Sequence, residues 1–208
     1  MGLHRYFLIS LGNFAHAISG NEGFAKHFAS STSPAYHVLG NHEMDRVDKK
    51  DTTAFLGMPS PYYSFDVGGY HCVVLDPNFI YSDDQYLDYE KGNYFNFGSR
   101  VSYVNDDQCD WLKDDLQKTN LPVFLFSHQS LLHNNGGIPN RAYVQRILER
   151  ENERCGFRKI LACFNGHHHN MAMYKDSLFC FVTVDLSGRL SLRGVKSEWA
   201  VHPPDNPA

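Results

Sequence analysis

Short apolar runs at residues 6–11, 36–39, 122–126 and 160–164 punctuate this chain, each followed by glycine, asparagine, serine or histidine. Runs of that length between turn formers predict buried strands. Between them the apolar positions move to a helical period. Residues 21–29 carry Phe24, Ala25 and Phe28 on one side, and Ser33-Pro34 ends that helix. Residues 45–56 predict a second helix, stopped by Gly57-Met58-Pro59. Residues 107–116 gather Trp111, Leu112 and Leu116 on one face, and residues 139–154 gather Val144, Ile147 and Leu148, which predicts two more amphipathic helices. Residues 62–67 and 70–75 flank Gly68-Gly69, a hairpin signal. Residues 171–174, 178–184 and 189–192 predict a closing meander with turns at Lys175-Asp176 and Ser187-Gly188, and residues 201–208 a proline-rich coil. Helices alternating with buried strands, together with hairpins, predict one α/β domain over residues 1–208, with helices covering mixed sheets.

Residues 76–106 break the pattern, with about thirty positions of little periodicity, rich in rings (Phe79, Tyr81, Tyr86, Tyr89, Tyr94, Phe95, Phe97) and acids. Irregular loops of that length tend to be functional. Two readings are open: a lid over a site, or rings that pad an outer core.

Composition adds modest limits. At 208 residues, 42% hydrophobic and 20% charged, the chain has the make-up of an ordinary globular domain. A net charge of −4 with scattered basic residues leaves no nucleic-acid footprint. No apolar run approaches the ~20 residues of a membrane span, and residues 6–11 are too short for a secretory segment. Five cysteines without a C-x-x-C pair argue against a disulfide framework or a thiolate zinc site. The mild expectation is a reducing, cytoplasmic setting.

The chemistry lies just past the strands. Gly40-Asn41-His42-Glu43, Ser127-His128 and Gly166-His167-His168-His169 each sit at a strand end. His167 and His169, two apart in a loop, can reach one locus, whereas His168 between them points away. Neutral nitrogen and oxygen donors without thiolate suit zinc, manganese, iron or nickel rather than a closed structural cage. Such a centre activates water and neutralises phosphoryl oxygens, and an adjacent histidine, His42, is the natural proton donor to a departing alkoxide. Serine-nucleophile chemistry at Ser127-His128 is disfavoured, because neighbours in a strand face opposite sides and no Gly-x-Ser-x-Gly elbow occurs.

These motifs, with the stretches at 62–76 and 107–122, make residues 6–193 resemble the calcineurin-like metallophosphoesterase superfamily. The resemblance implies a four-layer α/β/β/α sandwich with mixed sheets and two divalent metal ions (Mn, Fe, Zn or Ni). It implies hydrolysis of phosphomonoesters or phosphodiesters by metal-activated hydroxide. Asn41, His128 and His167 would hold the second metal and His169 the first. His42 would assist the leaving group, and Glu43 would orient the loop. For a small phosphate ester or nucleotide-like substrate, Tyr94 and its neighbours could stack on a base. Arg100 could meet a phosphate, and His133 could line the mouth.

The chain departs from that family in two places. No Asp-x-His precedes residue 40, and the family's bridging Gly-Asp is matched by Gly12-Asn13, 28 residues before Gly40 (40 − 12). Asn13 is neutral and bridges two cations poorly. Three expectations compete: the first strand and its ligands lie upstream of Met1; the chain is a degenerate member that holds one metal or none and binds without turnover; or His16 substitutes.

Overall fold

The computed structural model describes residues 7–132 and 136–168, together with the backbone of four later strands. In chain order the elements are β1 (Leu8–Ser10), α1 (Glu22–Ala29), β2 (Ala35–His37), α2 (Lys49–Phe55), β3 (Tyr63–Val67), β4 (Tyr70–Val74), β5 (Phe79–Ser82), β6 (Gln85–Asp88) and α3 (Asp106–Lys118). They continue with β7 (Val123–Ser127), α4 (Arg141–Cys155), β8 (Ile160–Asn165), β9 (Ala172–Lys175), β10 (Cys180–Thr183), β11 (Leu192–Val195) and β12 (Glu198–Val201).

One sheet runs β3-β4-β7-β8-β10-β9. Its centre, β4, β7, β8 and β10, is parallel, and the antiparallel strands β3 and β9 lie at its two ends. Parallel neighbours need long crossovers; α3 and α4 supply two of them. Alternation divides the strands between two cores. Val73, Val123 and Leu125 face Leu112, Leu116, Val144, Ile147 and Leu148 of α3 and α4, while Cys72, Val74 and Phe126 face the opposite way. Ile160 and Cys163 of β8 share the first face although they are three apart. The register shifts between Val123 and Phe124, which pair with Ile160 and Ala162, and this extra residue restores the phase.

On the other face lies the small parallel sheet of β1 and β2, with Ile9 and Tyr36 packed into that second core. Beyond it, Phe28 of α1 meets His37 at 4.5 Å, and Phe55 and Leu56 bring the end of α2 into the same cluster. The layers are therefore α/β/β/α. A third sheet, β11-β12, completes the set together with the hairpin β5-β6.

Two expectations change. The helix predicted over 45–56 begins at Lys49, because His42–Met44 forms a 3-10 turn and the Asp48 side chain caps α2 by accepting from Asp51 N. The supposedly irregular stretch 76–106 contains the β5-β6 hairpin, turned at Asp83 and Asp84 with φ of 52° and 58°. It has its own small core of Ile80, Tyr89 and Tyr94 around Met44. Its base is tied down by Lys49, whose Nζ reaches Asp76 at 2.8 Å and Asp88 at 2.6 Å, and by Gln108, which bonds both backbone polar groups of Asp76.

Candidate metal centre

Strand ends β1, β2, β7 and β8 meet at one point. The Gly12 backbone, at φ +93°, passes so near His128 that a Cβ there would lie 2.4 Å from the His128 Nδ1. The close approach lets the Leu11 carbonyl accept from His128 Nδ1–H at 2.7 Å. With that proton fixed, the neutral ring presents a lone pair at Nε2. Nε2 faces Asn41 Oδ1 at 3.1 Å and His167 Nδ1 at 3.2 Å. His167 takes a left-handed φ of 65°, uncommon for a side-chain residue and a mark of constrained, often functional backbone.

The orientation of Asn41 is set from its other end. The Asp45 carboxylate accepts the Tyr94 hydroxyl proton at 2.6 Å. The Tyr94 oxygen is thus left to accept from Asn41 Nδ2 at 3.2 Å. Oδ1 must then point at His128. Carbonyl oxygen against the lone pair of a neutral imidazole at 3.1 Å is repulsive unless a cation, or a second ring proton, lies between them. Donors around an ion with bonds of about 2.0–2.2 Å stand roughly 3.0–3.4 Å apart, so Asn41, His128 and His167 fit one divalent ion. Among the described residues no three His, Cys, Asp or Glu side chains group as a cage; the set here is two imidazoles and an amide.

Glu43 stitches the loops rather than joining this set. It is buried, and its carboxylate accepts from Asn13 N at 2.9 Å, Gly40 N at 2.8 Å and Phe14 N. Burial raises its pKa despite those bonds. Gly40 leaves room for this arrangement, since a Cβ would come within 2.4 Å of Asn13.

His42 stands at the rim, its side chain 51% exposed, with Nδ1 held by Asp45 Oδ2 at 2.9 Å. Beside it Asn13, His16 and Asn21 line a cavity of about 290 Å³. A larger cavity of about 420 Å³ lies between α3 and α4, away from the histidines.

The other expected residues fall into place unevenly. Asn13 lies next to the centre, but its Oδ1 accepts from His42 N at 3.1 Å. His16 Nε2 sits 4.0 Å from Asp45 rather than among the ligands. His169 and His133 lie outside the described residues. Arg100 donates to Ser82 Oγ at 3.3 Å and lies over Phe97, contacts within the segment 76–106 rather than with the centre. Tyr94 is not a substrate-facing ring: it is 8% exposed, and burial first, Asp45 second, raise its pKa. Its neighbour Phe95 is the exposed ring at 64%, with its centroid 6.5 Å from that of His42. Ser127 is buried and gives its hydroxyl to the Gln129 carbonyl, which disposes of it as a nucleophile. Two participants escape a reading of the motifs. Asp45 reaches His42 only through the 3-10 turn between them, and the Leu11 carbonyl carries no side-chain signal at all.

The family model of calcineurin-like phosphoesterases matches residues 3–171. The chain belongs to that family. Its members hydrolyse phosphoester bonds with divalent metal ions, and this phosphoesterase carries the α/β sandwich that goes with that chemistry. Among solved structures, a dimetal phosphatase from Danio rerio aligns with a TM-score of 0.60 and 15% identity, over 86% of this chain and 72% of its own. GAP50, described as the anchor in the inner membrane complex of Plasmodium, aligns at 0.53 and 13%, over 89% and 62%. A candidate 5′-nucleotidase from Staphylococcus aureus aligns at 0.53 and 15%, over 95% and 44%. No curated protein matches by sequence. No helix among the described residues is long and apolar enough to cross a membrane.

Proposed function

We propose that this phosphoesterase hydrolyses small phosphate esters at a centre where Asn41, His128 and His167 hold a divalent metal ion and His42 serves the leaving group. The observation that carries the reading is that His128 Nε2 has Asn41 Oδ1 at 3.1 Å and His167 Nδ1 at 3.2 Å. An ion held there would supply positive charge to phosphoryl oxygens and lower the pKa of water towards neutrality. The chain's own groups do the rest. Asp45 fixes His42 Nδ1 at 2.9 Å, leaving Nε2 as the nitrogen that gives a proton to the departing oxygen. Phe95, exposed beside His42, offers a face on which a base or other aromatic group of the ester would stack. The cavity at Asn13, His16 and Asn21 gives a hydroxylated alcohol polar partners.

A second reading, binding without turnover, is favoured by one observation. Asn13 stands where the family places a bridging aspartate, and its Oδ1 accepts from the His42 backbone.

The test is hydrolysis of p-nitrophenyl phosphate and bis-p-nitrophenyl phosphate by chelated and Mn²⁺- or Zn²⁺-replete protein. Metal-dependent turnover, lost in His128→Ala, is expected. Phosphate binding by metal-replete protein without turnover selects the second reading.

A further inference from the structure

Tyr94 belongs to the segment 76–106, not to the strand ends that supply the ligands, yet its hydroxyl touches both halves of the centre. It donates to Asp45 Oδ1 at 2.6 Å, accepts from Asn41 Nδ2 at 3.2 Å and lies 3.4 Å from His42 Nδ1. Its ring is stacked on Tyr89 with centroids 4.4 Å apart and planes at 11°, so the hydroxyl is delivered by a packed element rather than by a mobile side chain. From these contacts we infer that Tyr94 is a positioning residue that fixes which end of the Asn41 amide faces the metal. This rests on the proposed metal-holding role of Asn41, His128 and His167.

Hydrogen-bond polarity decides the orientation. A carboxylate only accepts, so Asp45 takes the phenol proton and the phenol oxygen becomes an acceptor. That acceptor selects Nδ2 of Asn41 and leaves Oδ1 for the centre. Without the hydroxyl nothing on that side distinguishes the two ends of the amide. A half-turn would then bring Nδ2–H onto the lone pair of His128 Nε2, replacing a repulsive contact by a hydrogen bond that competes with the ion. Asp45 gives one oxygen to Tyr94 and the other to His42, so the same hydroxyl ties ligand orientation to the proton donor.

Calorimetric titration of the metal-free full chain with Mn²⁺ and with Zn²⁺ tests this without recourse to activity. Tyr94→Phe keeps the stacked ring and should weaken Kd by about 10–100-fold, the usual effect of losing a group that orients a metal ligand. Tyr89→Phe, which removes a hydroxyl bonded to Ser102 in the same core, should leave Kd unchanged. Asn41→Asp offers two oxygens whichever way it turns, so in that background Tyr94→Phe should cost less than about twofold. If Tyr94→Phe melts early, Asp45→Asn reads the same polarity, because an amide there no longer dictates the direction of the phenol proton. Equal Kd for wild type and Tyr94→Phe, or an unreduced loss in the Asn41→Asp background, overturns the inference alone. Absence of metal binding by the wild type overturns the functional reading and this inference with it.

Discussion

Asn41 and His42 are adjacent in the chain but are held by different parts of one net, which separates their roles experimentally. Asn41 acts through Oδ1 on the His128 side, and its loss should show first in metal affinity. His42 acts through the nitrogen that Asp45 does not hold, and its loss should show in the rate. A proton delivered to the leaving group matters in proportion to that group's basicity. His42→Ala should therefore lower kcat by about 10²–10⁴ on an alkyl phosphate ester and by less on a p-nitrophenyl ester. Equal losses on both, measured at saturating metal, would assign His42 another role. Gly12 is a stricter site: at φ +93° and with His128 Nδ1 only 2.4 Å from where its Cβ would be, Gly12→Ala must displace the ring or the turn. Asn41, His42, His128 and His167 were legible because each is a polar donor that comes within a few residues of the end of an apolar strand. Tyr94 as a buried prop and the Leu11 carbonyl were not, since their roles come from contacts across 49 to 117 positions. Asp45 as an orienter depends on a 3-10 turn that the apolar pattern does not announce.

At the scale of elements, the sequence period sufficed where one principle acted alone. The β3-β4 hairpin turns on Gly68 and Gly69, both at positive φ, and α3 and α4 appear within a few residues of their apolar stripes. It failed where a second principle intervened: the bulge that rephases β8, the Asp48 cap that shortens α2, and a hairpin turned by two aspartates instead of glycine. Leu112, fully buried at the centre of the α3–α4 core, should cost about 2–5 kcal/mol when replaced by alanine, measured by urea unfolding. A charged lock joins β4 to α3, where His71 donates to Asp66 at 2.6 Å and to Asp115 at 2.9 Å. Burial of the ring opposes its charge, but the bonds to Asp115 and Asp66 outweigh it and raise the pKa above 6.5. The stabilisation is therefore complete below that value and fades as pH rises through the raised one. Asp115, for which burial is likewise outweighed by bonds from His71 and Ser64, titrates below its usual 3.8; its share holds above that value and fades as pH falls further. His37, pushed by burial to about 4, has the opposite sign to His71 and destabilises the fold as pH falls below 6.5. The His71→Gln difference isolates the lock: it should be larger at about pH 5.5 than at about pH 9. A gap independent of pH would remove the ion-pair account.

For the whole molecule, the site is a meeting of two bodies. The sandwich supplies Asn41, His42, His128 and His167, while the segment 76–106, anchored at Lys49 and Asp76, supplies Tyr94 and Phe95. An ion bound only by the folded chain should stabilise it by about 2.7 kcal/mol at a hundredfold excess over Kd, raising Tm by roughly 5–10 °C for a chain of this size. The rise should disappear in His128→Ala. The metal centre itself is tested most directly by anomalous diffraction at the manganese edge from crystals soaked in Mn²⁺. A peak bonded to Asn41 Oδ1, His128 Nε2 and His167 Nδ1 is expected. A fully ordered centre with no peak there, or a peak held by other residues, would contradict it.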